Sequence, residues 1–478
     1  MFVYLPRIFF WKGLDIYLSF FKCLKPNILF LVIDSFRADK FFGSNKSSLT
    51  PNIDKMIQNG VYFKQAISSA DGTPLSLASI FTGLHPFKTE INTERLQKIN
   101  PNLETYYDIL KNLNYNFYGL LPTLQTKLGI FPEFQNENST FDYYLRLSQG
   151  LGSRSIELLE SCKNSQPWFL YLLIDDIHFP IVVEPDFNDE KYGKTNYDKT
   201  ISNIDFWLGK ILEKIDVTNT LVVLTADHGS YLSSVTHDGK QISLEVNGEL
   251  QTTARTLGNL FPKKLRPVKN KIFFSMEKVR KERRVSKLKN LDLKPHEKRG
   301  LLWQRSDVDH YLFDDTIHVP LLFYGYGINQ KHIISQQVRT IDIFPTIVEL
   351  IGLPSRDDEI DGRSLLSLIE GKNMEELSQY IESSHLSLDL ETNDVIGIRS
   401  SEFKYFRDRN DQNNNVHLYN LKSDPHEDHN ISYNNPEIVT KLENILQNIL
   451  KSSPQTKQQV NEDNAENIEE ELRKLGYV

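Results

Sequence analysis

The sequence is poor in cysteine: its 478 residues include only Cys23 and Cys162. Two cysteines cannot build a disulfide framework or a cysteine-rich zinc site, and they favour a reducing compartment, most simply the cytoplasm. The remaining composition is ordinary, with 39% hydrophobic and 25% charged residues. This composition argues against a disordered, fibrous or multi-span membrane protein, and the length allows one large α/β domain plus a smaller one.

The sequence also lacks a long uncharged apolar run near its start. Residues 1–25 are rich in aromatic side chains, but Arg7, Lys12, Asp15 and Lys22 interrupt them. No stretch there approaches the ~18–20 apolar residues that a spanning helix needs, and none ends in a small-residue cleavage site. We expect this segment to pack as a helix on the body of the protein. The alternative is peripheral contact with a membrane surface as an amphipathic segment.

Excess positive charge is confined to one part of the chain. The sequence has 55 Lys and Arg against 63 Asp and Glu, which gives a net charge of −8. Residues 261–305 contain 16 of the basic residues and only 4 of the acidic ones. An acidic body with one basic insert is not typical of a nucleic-acid-binding protein, so we expect no nucleic acid partner. No feature of the sequence indicates an oligomeric state.

Apolar strands alternate with helical patterns along most of the chain. The first strand, Pro26–Asp34, is an unbroken apolar run that ends in an acid, which is typical of a strand buried on both faces of a parallel sheet. Similar strands are predicted at Phe117–Leu121, Trp168–Asp175, Thr220–Asp227 and His318–Tyr324. Helices are predicted at Leu103–Leu113, Ser153–Cys162 and Asp198–Ile215. The alternation predicts an α/β fold with a doubly wound, mostly parallel sheet flanked by helices.

Changes in this rhythm predict the domain organisation. We expect a main domain over residues 26–372, interrupted by a basic insert at residues 240–305 that is helix-prone at Lys278–Asn290. Residues 373–452 are typical of a smaller α+β subdomain, and residues 453–478 of a polar linker and C-terminal tail. The subdomain's predicted elements are strands at Val395–Ile398, Lys404–Phe406 and His417–Tyr419, and an amphipathic helix at Glu437–Leu450.

Three of the predicted strands end in an aspartate, namely Asp34, Asp175 and Asp227. Ligands of such sheets lie beyond the carboxyl ends of the strands, so these acids are either a shared site or three unrelated loop caps. His228 and Gly229 follow Asp227, and a carboxylate beside an imidazole suits Mg, Mn, Ca or Zn. A plain turn explains the Asp-His-Gly sequence taken alone. Together with Asp34, it favours a divalent metal site.

A hydroxyl side chain, Thr73, precedes a helix that is predicted to begin near Pro74. A group at this place lies on the positive end of the helix dipole, where an anion or an alkoxide is favoured. The alternative is that Thr73 is only the N-cap of that helix.

Four further side chains are candidates for proton transfer or anion binding. His178 follows the third predicted strand, and His310 precedes Tyr311. His237 and Lys240 lie close together in a polar segment. Histidine suits proton transfer near neutral pH and metal ligation, although each of these residues alone also has a structural explanation.

Taken together, these motifs show that the chain resembles the sulfatase family of the alkaline phosphatase superfamily nearly end to end. Asn27–Asp34 with Ser35–Asp39 is similar to the family's first strand and metal aspartate, and Ser76–Pro86 to the helix that carries its nucleophile. Further matches follow in the family's order at Thr50–Asp54, Asn59–Phe63, Asp227–Gly229, Ile317–Phe323, Ile341–Thr346, Asp361–Leu366, Leu418–Leu421, Asp424–Pro425 and Leu472–Tyr477. The resemblance implies an alkaline-phosphatase-like fold and an ester hydrolase.

Three positions depart from the family pattern. Sulfatases carry a Cys/Ser-x-Pro-x-Arg motif whose first residue becomes formylglycine, whereas this chain has Thr73 at that position and Leu77 in place of the arginine. Ser35 replaces the second acid of the usual Asp-Asp pair. Formylglycine is therefore not expected. The metal ligands that the resemblance implies are Asp34, Thr73, Asp227 and His228.

A threonine at this position is similar to the phosphoethanolamine transferases, lipoteichoic acid synthases and nucleotide pyrophosphatases of the superfamily. The resemblance implies that Thr73 attacks phosphorus directly, while His178 and His310 bind anionic oxygens, protonate the leaving group or activate water or an acceptor. We expect a metal-dependent hydrolase of sulfate or phosphate esters, with phosphate favoured. Its substrate would be an anionic small molecule, glycan or lipid headgroup.

Two alternatives stay open at this point: a phosphotransferase of the phosphoethanolamine or glycerophosphate type, or a non-catalytic sulfatase-fold protein that binds an anionic glycan or lipid. The basic insert is expected either to cover the pocket and attract a polyanionic substrate or to form a solvated excursion.

Overall fold

The computed structural model describes residues 25–91, 98–121, 129–130, 145–237, 240–244, 266–303, 311–354, 360–383 and 394–452. The predictions for the N-terminal segment, the C-terminal tail and His310 lie outside the described residues. Within those ranges, none of the helices combines the length and the apolar character needed to cross a membrane.

The strands, in chain order, are β1 (Asn27–Ile33), β2 (Val61–Ile67), β3 (Asn116–Leu120), β4 (Trp168–Ile174), β5 (Thr220–Thr225), β6 (Ser234–His237), β7 (Lys240–Ser243), β8 (His318–Gly325), β9 (His332–Arg339), β10 (Gln379–Glu382), β11 (Val395–Arg399), β12 (Phe403–Asp408) and β13 (His417–Asn420). The helices are α1 (Ala38–Phe41), α2 (Pro51–Asn59), α3 (Thr73–Thr82), α4 (Tyr106–Asn112), α5 (Leu151–Cys162), α6 (Asn196–Leu212), α7 (Arg266–Leu288), α8 (Pro295–Leu302), α9 (Asp314–Ile317), α10 (Ile343–Leu350), α11 (Leu366–Ile369) and α12 (Pro436–Leu450).

A seven-stranded sheet with the order β3-β4-β1-β5-β8-β2-β9 forms the centre of the molecule. Strands β3, β4, β1 and β5 are parallel neighbours, and β2 is parallel to β9. Strand β8 runs antiparallel to both β5 and β2. The predicted α/β fold with a mostly parallel sheet is confirmed. The direction of β8 was not predictable from its apolar run, because burial on both faces does not specify which way a strand runs.

All seven residues of strand β1 are buried, because β1 lies inside the sheet between β4 and β5. Its Phe30 ring packs against Phe81 of helix α3, with 5.6 Å between ring centroids, and against Phe344 of α10 at 5.3 Å. All ten residues of α3 are buried, and the helix ends at Gly83 in the left-handed region, with φ of 69°. Helix α3 is therefore fixed in the core, with its N-terminus at the edge of the sheet where β1 and β5 end.

A second, four-stranded antiparallel sheet with the order β10-β11-β12-β13 packs against the C-terminal helix α12. It adjoins the central sheet just after β2, where Ala70 pairs with Glu382 and the Gln379 amide donates to Ser69 Oγ at 2.9 Å. The predicted smaller C-terminal α+β unit is thus present, and it begins with strand β10, which sequence analysis had missed.

In its described part, the basic insert contains strand β7, which forms a hairpin with β6 just before the insert, and then helices α7 and α8. Leu288, Leu293 and Leu301 are its buried apolar residues, and they pack against Val235 and Ile242 of the hairpin. The predicted helix over Lys278–Asn290 is present but longer, at Arg266–Leu288. The hairpin was not predicted, because both of its strands are short and polar.

Candidate active site

The carboxyl ends of β1 and β5 bring two acids together. Asp34 directly follows β1, and its backbone N–H donates to the carbonyl of Ile174 at the end of β4, at 2.9 Å. Asp227 follows β5, the other neighbour of β1. Both carboxylates are buried, and one ligand atom each from Asp34, Asp227 and His228 lies within 4.8 Å of the others. Asp175, which follows β4, is half-buried.

Thr73 is the first residue of α3, and Gly72 is the N-cap. The Thr73 hydroxyl donates to Asp34 Oδ2 at 3.4 Å and lies 3.3 Å from His228 Nε2. The structure therefore directs the hydroxyl to the acidic cluster, and the N-cap position belongs to the preceding glycine. The four side chains that the family resemblance implied as metal ligands lie together.

The orientation of His228 is set by its own loop. Its Nδ1 is 2.6 Å from the carbonyl oxygen of Gly229, which can only accept, so Nδ1 carries the hydrogen. The other ring nitrogen, Nε2, is 3.6 Å from Asp34 Oδ1 and 3.6 Å from Asp227 Oδ2. This arrangement leaves the Nε2 lone pair facing the two carboxylates, as in histidines that bind metals.

The Asp227 carboxylate shows why a cation fits here. Its Oδ1 accepts from the backbone N–H groups of His228 at 2.8 Å and Ser35 at 3.2 Å. Its Oδ2 is buried and has no hydrogen-bond partner within the described residues. An unpaired buried carboxylate oxygen is costly, and a divalent cation would satisfy it. Burial, together with the neighbouring Asp227, raises the pKa of Asp34 to about 7, and a nearby cation would favour its ionised form.

Ser35, the residue in place of the family's second acid, positions Asp34. Its hydroxyl donates to Asp34 Oδ1 at 2.8 Å, and its backbone has a positive φ of 65°. The Tyr197 hydroxyl holds this strained turn, because it donates to the Ser35 carbonyl at 2.7 Å and accepts from the Arg37 N–H at 3.0 Å. Sequence analysis did not identify Tyr197, which lies on α6 far along the chain.

Asp315 contacts the loop that carries His228 and connects this loop to two arginines. A Cβ on Gly229 would lie only 2.3 Å from the Asp315 carbonyl oxygen, so this close approach requires glycine. The Asp315 carboxylate pairs with Arg37 at 2.5 Å and with Arg299 of α8 at 2.9 Å. Arg37 also donates to the carbonyl of Ser230, so one acid links the loops after β1 and β5 to the insert.

The other predicted catalytic residues occupy different surroundings. His178 is half-buried in a turn that its backbone N–H closes onto the Asp175 carbonyl at 2.9 Å. His237 lies on β6, where Nδ1 is 3.1 Å from Glu297 Oε2 of α8, and Lys240 is exposed on β7. The structure thus does not bring the side chains of His237 and Lys240 into the cluster of Asp34, Thr73, Asp227 and His228.

Two family models match most of the chain. The model described as sulfatase matches residues 26–353, and the model described as N-sulphoglucosamine sulphohydrolase, C-terminal, matches residues 307–455. Among curated proteins, the chain is 22% identical over 478 aligned residues to arylsulfatase K of Gallus gallus, covering 89% of this chain and 82% of that protein.

Solved structures share the fold at low sequence identity. A putative sulfatase from Bacteroides thetaiotaomicron superposes with a TM-score of 0.62 at 17% identity, covering 92% of this chain and 96% of that one. A phosphonate monoester hydrolase of Agrobacterium radiobacter superposes with a TM-score of 0.61 at 14% identity, covering 89% and 95%. The fold therefore occurs in hydrolases of both sulfur and phosphorus esters.

Proposed function

This chain belongs to the sulfatase family of ester hydrolases, and we propose that within it the protein is a metal-dependent phosphate- or sulfate-ester hydrolase whose nucleophile is Thr73. The observation that carries the proposal is the position of the Thr73 hydroxyl, within 3.4 Å of Asp34 Oδ2 and 3.3 Å of His228 Nε2, at the start of a fixed helix. No other hydroxyl in the described part of the chain contacts both an acid and a histidine of this cluster.

Asp34, Asp227, His228 and the Thr73 hydroxyl would hold the cation, because two carboxylates, an imidazole nitrogen and a hydroxyl are donors that Ca, Mg, Mn or Zn accept. When bound, such an ion lowers the pKa of a coordinated hydroxyl and neutralises charge on the transferring group. The unpartnered Oδ2 of Asp227 supports this use of the site.

In the proposed reaction, Thr73 Oγ1 attacks the phosphorus of the ester while Asp34 and His228 orient the hydroxyl. The hydroxyl proton passes to Asp34 Oδ2, the oxygen to which it already donates. A bond forms between Oγ1 and phosphorus, and the bond from phosphorus to the leaving-group oxygen breaks. The leaving group takes up a proton, for which His178 is our candidate donor, and water then hydrolyses the phosphothreonine. The N-terminus of α3 stabilises the negative charge on the transferring group, because the helix dipole is positive there.

Phosphate esters are the favoured substrates for two reasons. A sulfothreonine lacks the elimination route that formylglycine gives to sulfatases, so its hydrolysis would be slow. Leu77, which replaces the family's arginine, is fully buried in the core, so α3 supplies no guanidinium for a sulfate group at that position. A substrate of either kind is anionic, so a bound cation and the N-terminus of α3 would both favour its binding.

Substitution of Thr73 tests the proposal. Thr73→Ala should lower the turnover of aryl phosphate, phosphodiester or aryl sulfate substrates by roughly 10³-fold or more, measured in the presence of Mn, Zn, Mg or Ca. Thr73→Ser keeps the hydroxyl and should retain measurable turnover, with a covalent phosphate on residue 73 detectable by mass spectrometry. Unchanged turnover in Thr73→Ala would reject Thr73 as the nucleophile, and full activity after metal removal would reject the metal site.

A further inference from the structure

The end of the basic insert is fixed against the loop that carries His228. Helix α8 approaches this loop so closely that a Cβ on Gly300 would lie 2.9 Å from the Leu232 carbonyl oxygen. On the same helix, Arg299 pairs with Asp315 at 2.9 Å. A close backbone approach and an ion pair therefore hold α8 beside the segment that follows His228.

This contact places an aromatic pair on the segment that follows His228. The rings of Tyr231, three residues after His228, and Trp303, just after α8, lie 5.6 Å apart at an interplanar angle of 35°. Tyr231 is half-buried, whereas Trp303 is 39% exposed. Two hydrogen bonds hold the Trp303 backbone. Its N–H donates to the Arg299 carbonyl at 3.0 Å, and its carbonyl accepts from the Arg284 guanidinium at 3.4 Å.

Apolar packing places Tyr231 near the segment that leads to the nucleophile, because Tyr231 packs against the buried cluster that includes Ile67, the last residue of β2. Burial raises the pKa of the Tyr231 hydroxyl, and the carboxylates of Asp315 and Asp71 raise it further. Asp71 lies two residues before Thr73. Tyr231 therefore belongs to the loop after β5 and packs beside the end of β2, from which the chain runs to α3, on the side where the insert is fixed.

We propose that Trp303 and Tyr231 form an aromatic wall of the substrate site, which binds a ring in the leaving group of the ester, either a sugar or an aryl ring. This inference rests on the proposed function, because the wall acts on a substrate whose anionic group is held at Thr73. An exposed tryptophan on a fixed backbone presents an apolar face at little conformational cost, and such faces pack against rings. The insert would then determine which esters the site prefers, while Asp34, Thr73, Asp227 and His228 perform the reaction.

The test compares esters with and without a ring. Phenyl phosphate, glucose 6-phosphate and ethyl phosphate are assayed for kcat/KM with wild-type protein and with Trp303→Ala and Trp303→Phe. Trp303→Ala should lower kcat/KM for a ring-bearing ester by roughly 5- to 20-fold and leave ethyl phosphate within about twofold. Trp303→Phe should keep most of the ring preference. The two ring-bearing esters distinguish an aryl-binding wall from a sugar-binding one.

Phe206→Ala is the matched control, because Phe206 is similarly exposed, at 45%, but lies on α6 and packs against Trp207. Equal losses for all three esters, no loss in Trp303→Ala, or the same loss in Phe206→Ala would overturn the inference. If wild-type protein hydrolyses neither these esters nor the phosphodiester and aryl sulfate substrates assayed for Thr73, the proposed function fails. Calorimetric binding of the three compounds to the Thr73→Ala variant, with and without Trp303→Ala, still decides whether the wall selects rings.

Discussion

Lys404 of β12 is fully buried, and we predict that replacing it with methionine destabilises the protein to a degree that increases with pH. Its ammonium group lies 2.5 Å from Asp314 Oδ1 and 2.7 Å from Glu427 Oε1. Asp314 has a second cation, Arg399, at 2.9 Å. Within the described ranges, Glu427 pairs with no cation except Lys404, so the substitution leaves the buried carboxyl group of Glu427 without a positive partner.

The size of the effect depends on the protonation of Glu427. Removing one partner of a buried ion pair costs about 3–5 kcal/mol when the other charge stays ionised. Burial already raises the pKa of Glu427 to about 7, against the lowering effect of Lys404, and without Lys404 the pKa must rise further. At pH 6 the carboxyl group is therefore neutral in the variant. We expect a loss of only about 1–2 kcal/mol there, from the lost pairing and altered packing.

The direction of the pH dependence follows from the raised pKa. A carboxyl group whose pKa is higher in the folded than in the unfolded protein stabilises the fold below its unfolded pKa, and this contribution is lost as the pH rises to the folded pKa. In the wild-type protein the loss is complete near pH 7. In Lys404→Met it continues at about 1.4 kcal/mol per pH unit above pH 7, so the deficit should reach about 3–4 kcal/mol at pH 8.5.

Urea denaturation of wild-type and variant protein at pH 6, 7, 8 and 8.5 measures this deficit. The double variant Lys404→Met/Glu427→Gln is the control. It removes the titrating carboxyl group. The glutamine oxygen can still accept the hydrogen bond that the Asp314 N–H donates to Glu427 Oε2 in the wild-type protein, at 2.7 Å. Because the double variant has no carboxyl group at residue 427, its deficit should shrink slightly as the pH rises to about 7, where wild-type Glu427 ionises, and stay constant above that. A deficit in Lys404→Met that is the same at all four pH values, or a deficit that still rises with pH in the double variant, would refute the reasoning.

Two further predictions concern the site. Asp227→Asn should bind less metal by elemental analysis and should lose most of the metal-dependent rise in melting temperature, because a ligand that binds only the folded state stabilises by mass action; equal metal content in both proteins would contradict the ligand assignment. Gly229→Ala places a Cβ 2.3 Å from the Asp315 carbonyl oxygen, so we expect a loss of about 1–3 kcal/mol in unfolding free energy and reduced turnover. Unchanged stability and kcat would show that this approach can relax without cost.

The strands of the central sheet were largely predictable because burial on both faces leaves an unbroken apolar run. The run that ends at Asp34 is strand Asn27–Ile33, and the run that ends at Asp227 is strand Thr220–Thr225. The edge strand His332–Arg339 was missed, since its first half alternates between partly buried and exposed residues and reads as a polar loop. The hydrophobic periodicity of a segment thus indicates which faces of the strand are buried, but it does not indicate which strands pair with it.

The candidate site was predictable only in part, for a related reason. Asp34 and Asp227 were identified because each follows a strand, and strand ends share one edge of a parallel sheet. Thr73 came from the order of the family motifs. Tyr197 and Asp315 left no local signal, because each acts on a residue more than 160 positions away in the chain. Contacts of that kind are made by the tertiary fold and not by neighbouring residues.

The structure also changes how the charge of the insert is best understood. Part of that charge makes local pairs in the fold, because Arg299 pairs with Asp315 and His296 lies 2.7 Å from Asp428. The exposed cations on α7 include Lys278, Arg283 and Lys287. Charge at the surface of an acidic protein acts mainly on the rate at which an anion approaches, whereas a group held in contact with the site acts on which substrate fits. We therefore propose that, within the same insert, α7 acts on the attraction of an anionic substrate and the end of α8 acts on its selection.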